Sequence, residues 1–138
     1  DHRDLHLSIR RQRQMCIRDR PYLSFAVQGG DGQDQNLLQF FLNMVEWDMN
    51  VQQAVEAANI NSSQMKGSFA EHPSDPGAIL VREDTPPWVL ADLRSMGYDI
   101  STSPRTSGPI NAIFFDIRNR TMWGGSSNHG EDYGIAWE

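Results

Sequence analysis

Residues 21–35 read PYLSFAVQGGDGQDQ, from Pro21 to Gln35, and this stretch decides how the rest of the chain is laid out. Tyr22 to Val27 is a short apolar run of aromatic and β-branched character, predicted as a strand and closed by Gly29, Gly30 and Gly32. From Gln35 the spacing turns helical: Leu37, Leu38, Phe41, Met44 and Val45 share one face, with Phe40 and Trp47 beside it. Glycines between a strand and a helix let backbone amides approach a ligand closely, because they adopt dihedrals closed to other residues. The motif Gln28-Gly29-Gly30-Asp31-Gly32-Gln33 is not a dinucleotide fingerprint, since its spacing is GGxG, and it lacks the lysine and hydroxyl of a phosphate-binding loop. Two local readings stay open: a tight turn without a ligand, or an anion or oxyanion site at the helix start.

Downstream, Asn50 followed by Gln53 predicts a capping box for a second helix from Val51 to about Ala57, burying Val51, Ala54, Val55 and Ala58. Residues 59–77, with Pro73 and Pro76, read as a long surface connection anchored by Phe69. Ala78–Val81 is a short strand. Thr85 is placed to cap a helix with Pro86 at its first position, Trp88 or Val89, Leu93 and Met96 forming its stripe and Gly97 ending it. Tyr98–Ser101 is extended. Ile110 to Ile117 and Arg120 to Trp123 predict two antiparallel strands across a tight turn at Arg118 and Asn119, and so apolar a strand needs a partner layer. The order implies sheet and helix layers packed together, an α+β arrangement.

The 138 residues fit one domain, and 38% hydrophobic against 22% charged residues is a globular composition. No apolar run approaches a membrane span, and no positively charged segment followed by an apolar stretch and a small-residue cleavage site is read in these residues. The net charge of -6 is uneven. Residues 1–20 hold six arginines against three aspartates, whereas residues 21–138 hold six basic and fifteen acidic side chains, with Lys66 the only lysine. An acidic body argues against a nucleic-acid surface. The start can be read as a phosphate-binding arm, but without interleaved aromatics it reads rather as a disordered or non-native arginine-rich segment, dividing the chain into 1–20 and 21–138. Cys16 is the only cysteine, so no intrachain disulfide forms.

Other candidate groups do not converge in the sequence. His2, His6, His72 and His129 share no metal-ligand spacing. Asp31, Asp34, Glu46, Asp48, Asp84 and Asp92 contain no pair whose spacing demands acid and base roles. The stretch Trp123 to Gly134 is rich in turn formers, and its serines and histidine do not specify a triad.

Taken in order, Pro21-Tyr22-Leu23-Ser24-Phe25, Gly29-Gly30-Asp31-Gly32-Gln33-Asp34-Gln35, Leu38-Gln39, Leu42-Asn43 and Met49 to Ala57 resemble the C-terminal part of the small subunit of the gamma-glutamyltranspeptidase family. Leu93 to Ile100, Asn111-Ala112-Ile113 and Gly124 to Gly134 continue the likeness, which covers residues 21–138. The resemblance implies a fragment of the four-layer αββα N-terminal-nucleophile hydrolase fold. It implies hydrolysis or transfer of a gamma-glutamyl group from small compounds such as glutathione, through an acyl-enzyme on an N-terminal threonine. It further implies that Gly29 and Gly30 supply oxyanion-hole amides, and Asp31 beside them is the candidate substrate-binding side chain. The threonine lies upstream of the glycine pair in the family, so the nucleophile is expected outside this chain, in an upstream part of the same precursor, and none of Thr85, Thr102, Thr106 and Thr121 takes its place. No cofactor and no metal is implied, and family members are commonly exported or membrane associated. The chain departs from the family at Ala57-Ala58-Asn59-Ile60, where Ala-Pro-Arg-Phe is frequent, and at Gly124 to His129, where Gly-Ala-Ser-Asp-Pro-Arg is common. A related amide acylase and a noncatalytic binding or structural module are the alternatives.

Overall fold

The computed structural model describes residues 13–17 and 20–128. Four antiparallel strands make the main sheet: β1 (Arg13–Ile17), β2 (Arg20–Val27), β6 (Ile110–Asp116) and β7 (Thr121–Ser126), in the order β1-β2-β6-β7. A second sheet, of β3 (Ile60–Ser62), β4 (Ala78–Arg82) and β5 (Asp99–Ser103), pairs β3 antiparallel and β5 parallel to β4. The helices are α1 (Gln33–Val45), α2 (Val51–Glu56) and α3 (Pro87–Ser95), the last forming the connection that the parallel β4–β5 pair requires. The architecture is mixed α and β, as the element order led one to expect.

The core lies between the main sheet and α1 with α2. Alternation along β2 turns Leu23, Phe25 and Val27 inward, and the register sets them opposite Phe114, Ala112 and Ile110 of β6. Leu37 and Phe40 of α1 and Val51, Ala54 and Val55 of α2 close this core. The Phe25 ring lies 5.2 Å from that of Phe40 and 6.4 Å from that of Phe41, so strand and helix meet through aromatic contacts. The other face keeps Ile113 and Met122 exposed, so the strand over 110–117 is covered on one side only.

Several expectations shift. The α1 core face keeps Leu37, Phe41 and Met44 of the predicted stripe but is shifted toward Asn36 and Phe40, which are buried, while Leu38 is 57% and Trp47 70% exposed. Polar contacts accompany this shift. Gln35 and Gln39 on the flank of α1 use their amides to pair the backbone of β3, Gln35 bonding both N–H (2.7 Å) and C=O (3.0 Å) of Ser62 and Gln39 those of Ile60 (2.9 and 2.8 Å). Helical i, i+4 spacing matches the i, i+2 rise of a strand, so two side chains act as one further strand. β3 itself lies inside the predicted connection. Helix α3 starts at Pro87, with Pro86 extended (ψ 139°), because a residue before proline is driven out of the helical region. Thr85 therefore does not cap it, and its hydroxyl is buried without a partner among the described residues. Ala58 is exposed. The Asn50 and Gln53 capping box forms as read, with bonds of 2.9 and 3.1 Å.

Within residues 1–20, read from sequence as a disordered or non-native segment, Arg13–Ile17 forms a strand paired to β2. Ladder pairing uses backbone groups, and the free edge of β2 supplies them whatever the side chains. Residues 1–12 lie outside the described residues.

Candidate active site

At the end of β2 the chain makes one turn of 3-10 helix over Gly30–Gly32 and enters α1 directly. Gly29 has φ 139° and Gly30 φ 56°, both in the region that side chains rarely adopt, so this turn requires glycine. Among the described residues neither amide has an acceptor. The segment after β5 braces the turn: the Gln28 amide donates to the Pro109 carbonyl at 3.3 Å, and Gly108 approaches so closely that a Cβ there would overlap the Gln28 carbonyl.

Beneath the turn lies a polar network that spacing did not reveal. Asn36 is 2% exposed and accepts from Asn59 at 3.0 Å, Thr106 donates its hydroxyl to Asn59, and Asn61 donates to the Thr106 carbonyl. Buried amides in low dielectric are costly unless paired, so the network pins α1, β3 and residues 106–109 in one geometry around Gly29. Asn59 falls where the family departure was noted, the single sequence signal pointing to it.

A loop, residues 63–75, covers the turn. Its ends meet through the Asp75 amide and the Ser63 carbonyl (2.8 Å), and it is tied inside by Gly67 N–H to the Pro73 carbonyl (2.8 Å) and Ser74 Oγ to the Gln64 carbonyl (2.8 Å). Asp31 docks it by accepting the Ser68 amide at 2.6 Å. The Phe69 ring edge lies 3.4 Å from where a Cβ on Gly30 would stand. A cavity of about 500 Å³ opens between loop and turn, lined by Gly29, Asp31, Gln35, Asn61 and Lys66. Of the sequence candidates, the structure thus places Gly29 and Asp31 on one cavity, with Gly30 adjoining beneath Phe69.

The remaining candidates lie elsewhere. His72 is exposed and hydrogen-bonds the Gly67 carbonyl through Nδ1 at 2.7 Å. His2, His6, His129 and the stretch beyond Asn128 fall outside the described residues. Among the described residues no three His, Cys, Asp or Glu side chains gather as a metal site. Thr106 is buried, with its hydroxyl committed to Asn59. A second polar cavity, about 530 Å³, is lined by Arg82, Asp84, Arg105 and Thr106. There the Arg82 guanidinium grips Asp84 through two nitrogens, and this hydrogen bonding holds the Asp84 carboxyl below its ordinary value and raises that of Arg82. At the β6–β7 turn, bonds from the Asn119 side chain and amide lower the Asp116 carboxyl likewise.

Comparison with known proteins places this geometry among relatives. The sequence profile described as Gamma-glutamyltranspeptidase matches residues 14–137. A glutathione hydrolase proenzyme of Bacillus subtilis (strain 168) is 30% identical over 119 residues, 85% of this chain and 18% of that protein. A solved LmbA2991 structure is 28% identical and superposes with a TM-score of 0.79 over 86% of this chain and 22% of its own. The cephalosporin acylase of Bacillus halodurans shares the fold at a TM-score of 0.74 and 22% identity, over 88% of this chain and 21% of its own. The chain therefore spans about a fifth of the length of these relatives.

Proposed function

The chain belongs to the gamma-glutamyltranspeptidase family, and from that premise we propose that it supplies the oxyanion-binding portion of an enzyme that hydrolyses or transfers gamma-glutamyl groups. The carrying observation is the Gly29–Gly30 turn, whose amides have no acceptor among the described residues and which adjoins the cavity. In the proposed cycle a threonine outside these 138 residues attacks the gamma-glutamyl amide carbonyl. The carbonyl oxygen gains negative charge, which the two amides stabilise; the C–N bond then breaks and the amine leaves with a proton. Water, or an amino-acid amine, attacks the resulting ester and returns the threonine. Preorganised amides act here because they need no reorientation when charge develops, and losing one such donor costs on the order of 100-fold to 1000-fold in rate. The exposed face of the main sheet, at Ile113 and Met122, is the side on which the second sheet of a four-layer αββα fold would pack.

The test uses the complete gene product that contains this chain. Incubation with a gamma-glutamyl anilide is expected to release the aniline, and Gly30→Ala, which forces a side chain into φ 56° beneath Phe69, is expected to reduce kcat at least 100-fold. Turnover of a non-glutamyl side-chain amide in place of the gamma-glutamyl donor would assign the related acylase reading. No turnover of either would leave the noncatalytic one.

A further inference from the structure

We propose that residues 63–75 form the specificity wall of this site, and that Lys66 selects donors whose leaving amine carries a carboxylate. The proposal rests on the gamma-glutamyl reading above and names the determinant within it. The loop is a closed unit, held together by the bonds between Ser63 and Asp75, Gln64 and Ser74, and Gly67 and Pro73. It reaches the glycine turn through the Asp31 carboxylate on the Ser68 amide and through Phe69 over Gly30. That docking makes Lys66 and Gly29 walls of the same cavity. A substrate whose carbonyl oxygen meets the turn amides therefore has its neighbouring atoms within the same walls as Lys66.

Charge selects the ligand. Lys66 is the only lysine in the chain, and among the described residues it has no ion pair. The carboxylates on the cavity are Asp31, committed to the Ser68 amide, and Asp75 at the loop base. Lys66 is the one cationic side chain among the described residues lining this cavity, and a single ammonium suits a singly charged carboxylate rather than a phosphate. The peptide-type amine released from a gamma-glutamyl dipeptide carries such a carboxylate. Asp31 then acts as a positioning residue that docks the loop carrying Lys66 at this cavity, which gives a reason for an acid beside the two turn amides.

The test compares two donors in the complete gene product, gamma-glutamylglycine and gamma-glutamyl methylamide, which share the acyl group and differ in the leaving-group carboxylate. The ratio of their kcat/KM values is expected to fall roughly fivefold to tenfold in Lys66→Met, the scale of one partly exposed charge-assisted hydrogen bond, and to recover in Lys66→Arg. Asp31→Ala is expected to lower the same ratio, and the double variant to lower it no further than either change alone, because both act through one docked loop. An unchanged ratio in Lys66→Met overturns the proposal, as does an additive double variant. If the unsubstituted enzyme turns over neither donor, the gamma-glutamyl reading itself fails and this proposal falls with it. A ratio that shifts only when the glutamyl α-carboxylate is removed would assign Lys66 to the acyl side and overturn the leaving-group assignment.

Discussion

Gly125 shows how a single atom decides the packing of this chain. A Cβ there would lie 2.9 Å from both the Val51 carbonyl oxygen and its Cγ2, so α2 rests on β7 only because the side chain is absent. Gly125→Ala is expected to destabilise the chain by about 1–3 kcal/mol, the usual cost of overpacking, read from urea midpoints at constant slope. The Arg82–Asp84 pair works on a smaller scale, because the Asp84 side chain is 55% exposed and solvent screens it. Its carboxyl titrates below the unfolded value. The stabilisation is therefore complete above the ordinary aspartate range and is lost as pH falls through the depressed folded value. Asp84→Asn is expected to cost about 0.2–1 kcal/mol near neutrality and to show no deficit once the wild-type carboxyl is protonated; a deficit that persisted in acid would contradict the pairing.

Helix α2 is six residues long, too short to persist without its cap and its buried face. Asn50→Ala removes the Oδ1 that accepts from the Gln53 amide, while the residue-50 amide keeps its bond to Gln53 Oε1, and is expected to cost about 1 kcal/mol, with faster amide exchange across Val51–Val55. The α1–β3 contact makes a different demand, since the β3 edge is satisfied by side chains rather than by a strand. Replacing Gln39 with Leu leaves the N–H and C=O of Ile60 without partners and is expected to accelerate exchange at Ile60 while Ser62, held by Gln35, stays protected. Equal loss at both positions would mean that the two glutamines do not act separately. The pairing also reaches the cavity, because Gln35 and Ser62 both line it.

As a whole, the molecule has one well-covered sheet face and one exposed face. The described residues hold a braced amide turn, a buried network behind it and a docked loop in front. With the nucleophile proposed to lie elsewhere in the gene product, the purified 138-residue chain is expected to give no gamma-glutamyl anilide turnover. Orientation of amides lowers a barrier only when an attacking group is positioned beside them. Hydrolysis by rigorously purified chain would show that the nucleophile lies within it.

Much of this was legible in local sequence. The strand over 22–27, the glycine turn, the capping box at Asn50 and Gln53, and the β6–β7 hairpin each depend on neighbours a few residues apart, and so sequence by itself determined them. The glycine pair was legible for the same reason, since a positive φ is a property of one residue and its turn. Tertiary structure alone decided which arc of α1 faces inward and that Gln35 and Gln39 find the β3 backbone more than twenty residues away. It also decided that Arg13–Ile17 pairs with β2, that Asn36, Asn59, Asn61 and Thr106 meet, and that Asp31 docks a loop 37 residues downstream. These contacts leave no periodic trace, because hydrogen-bond partners are chosen by geometry after the chain has folded back on itself.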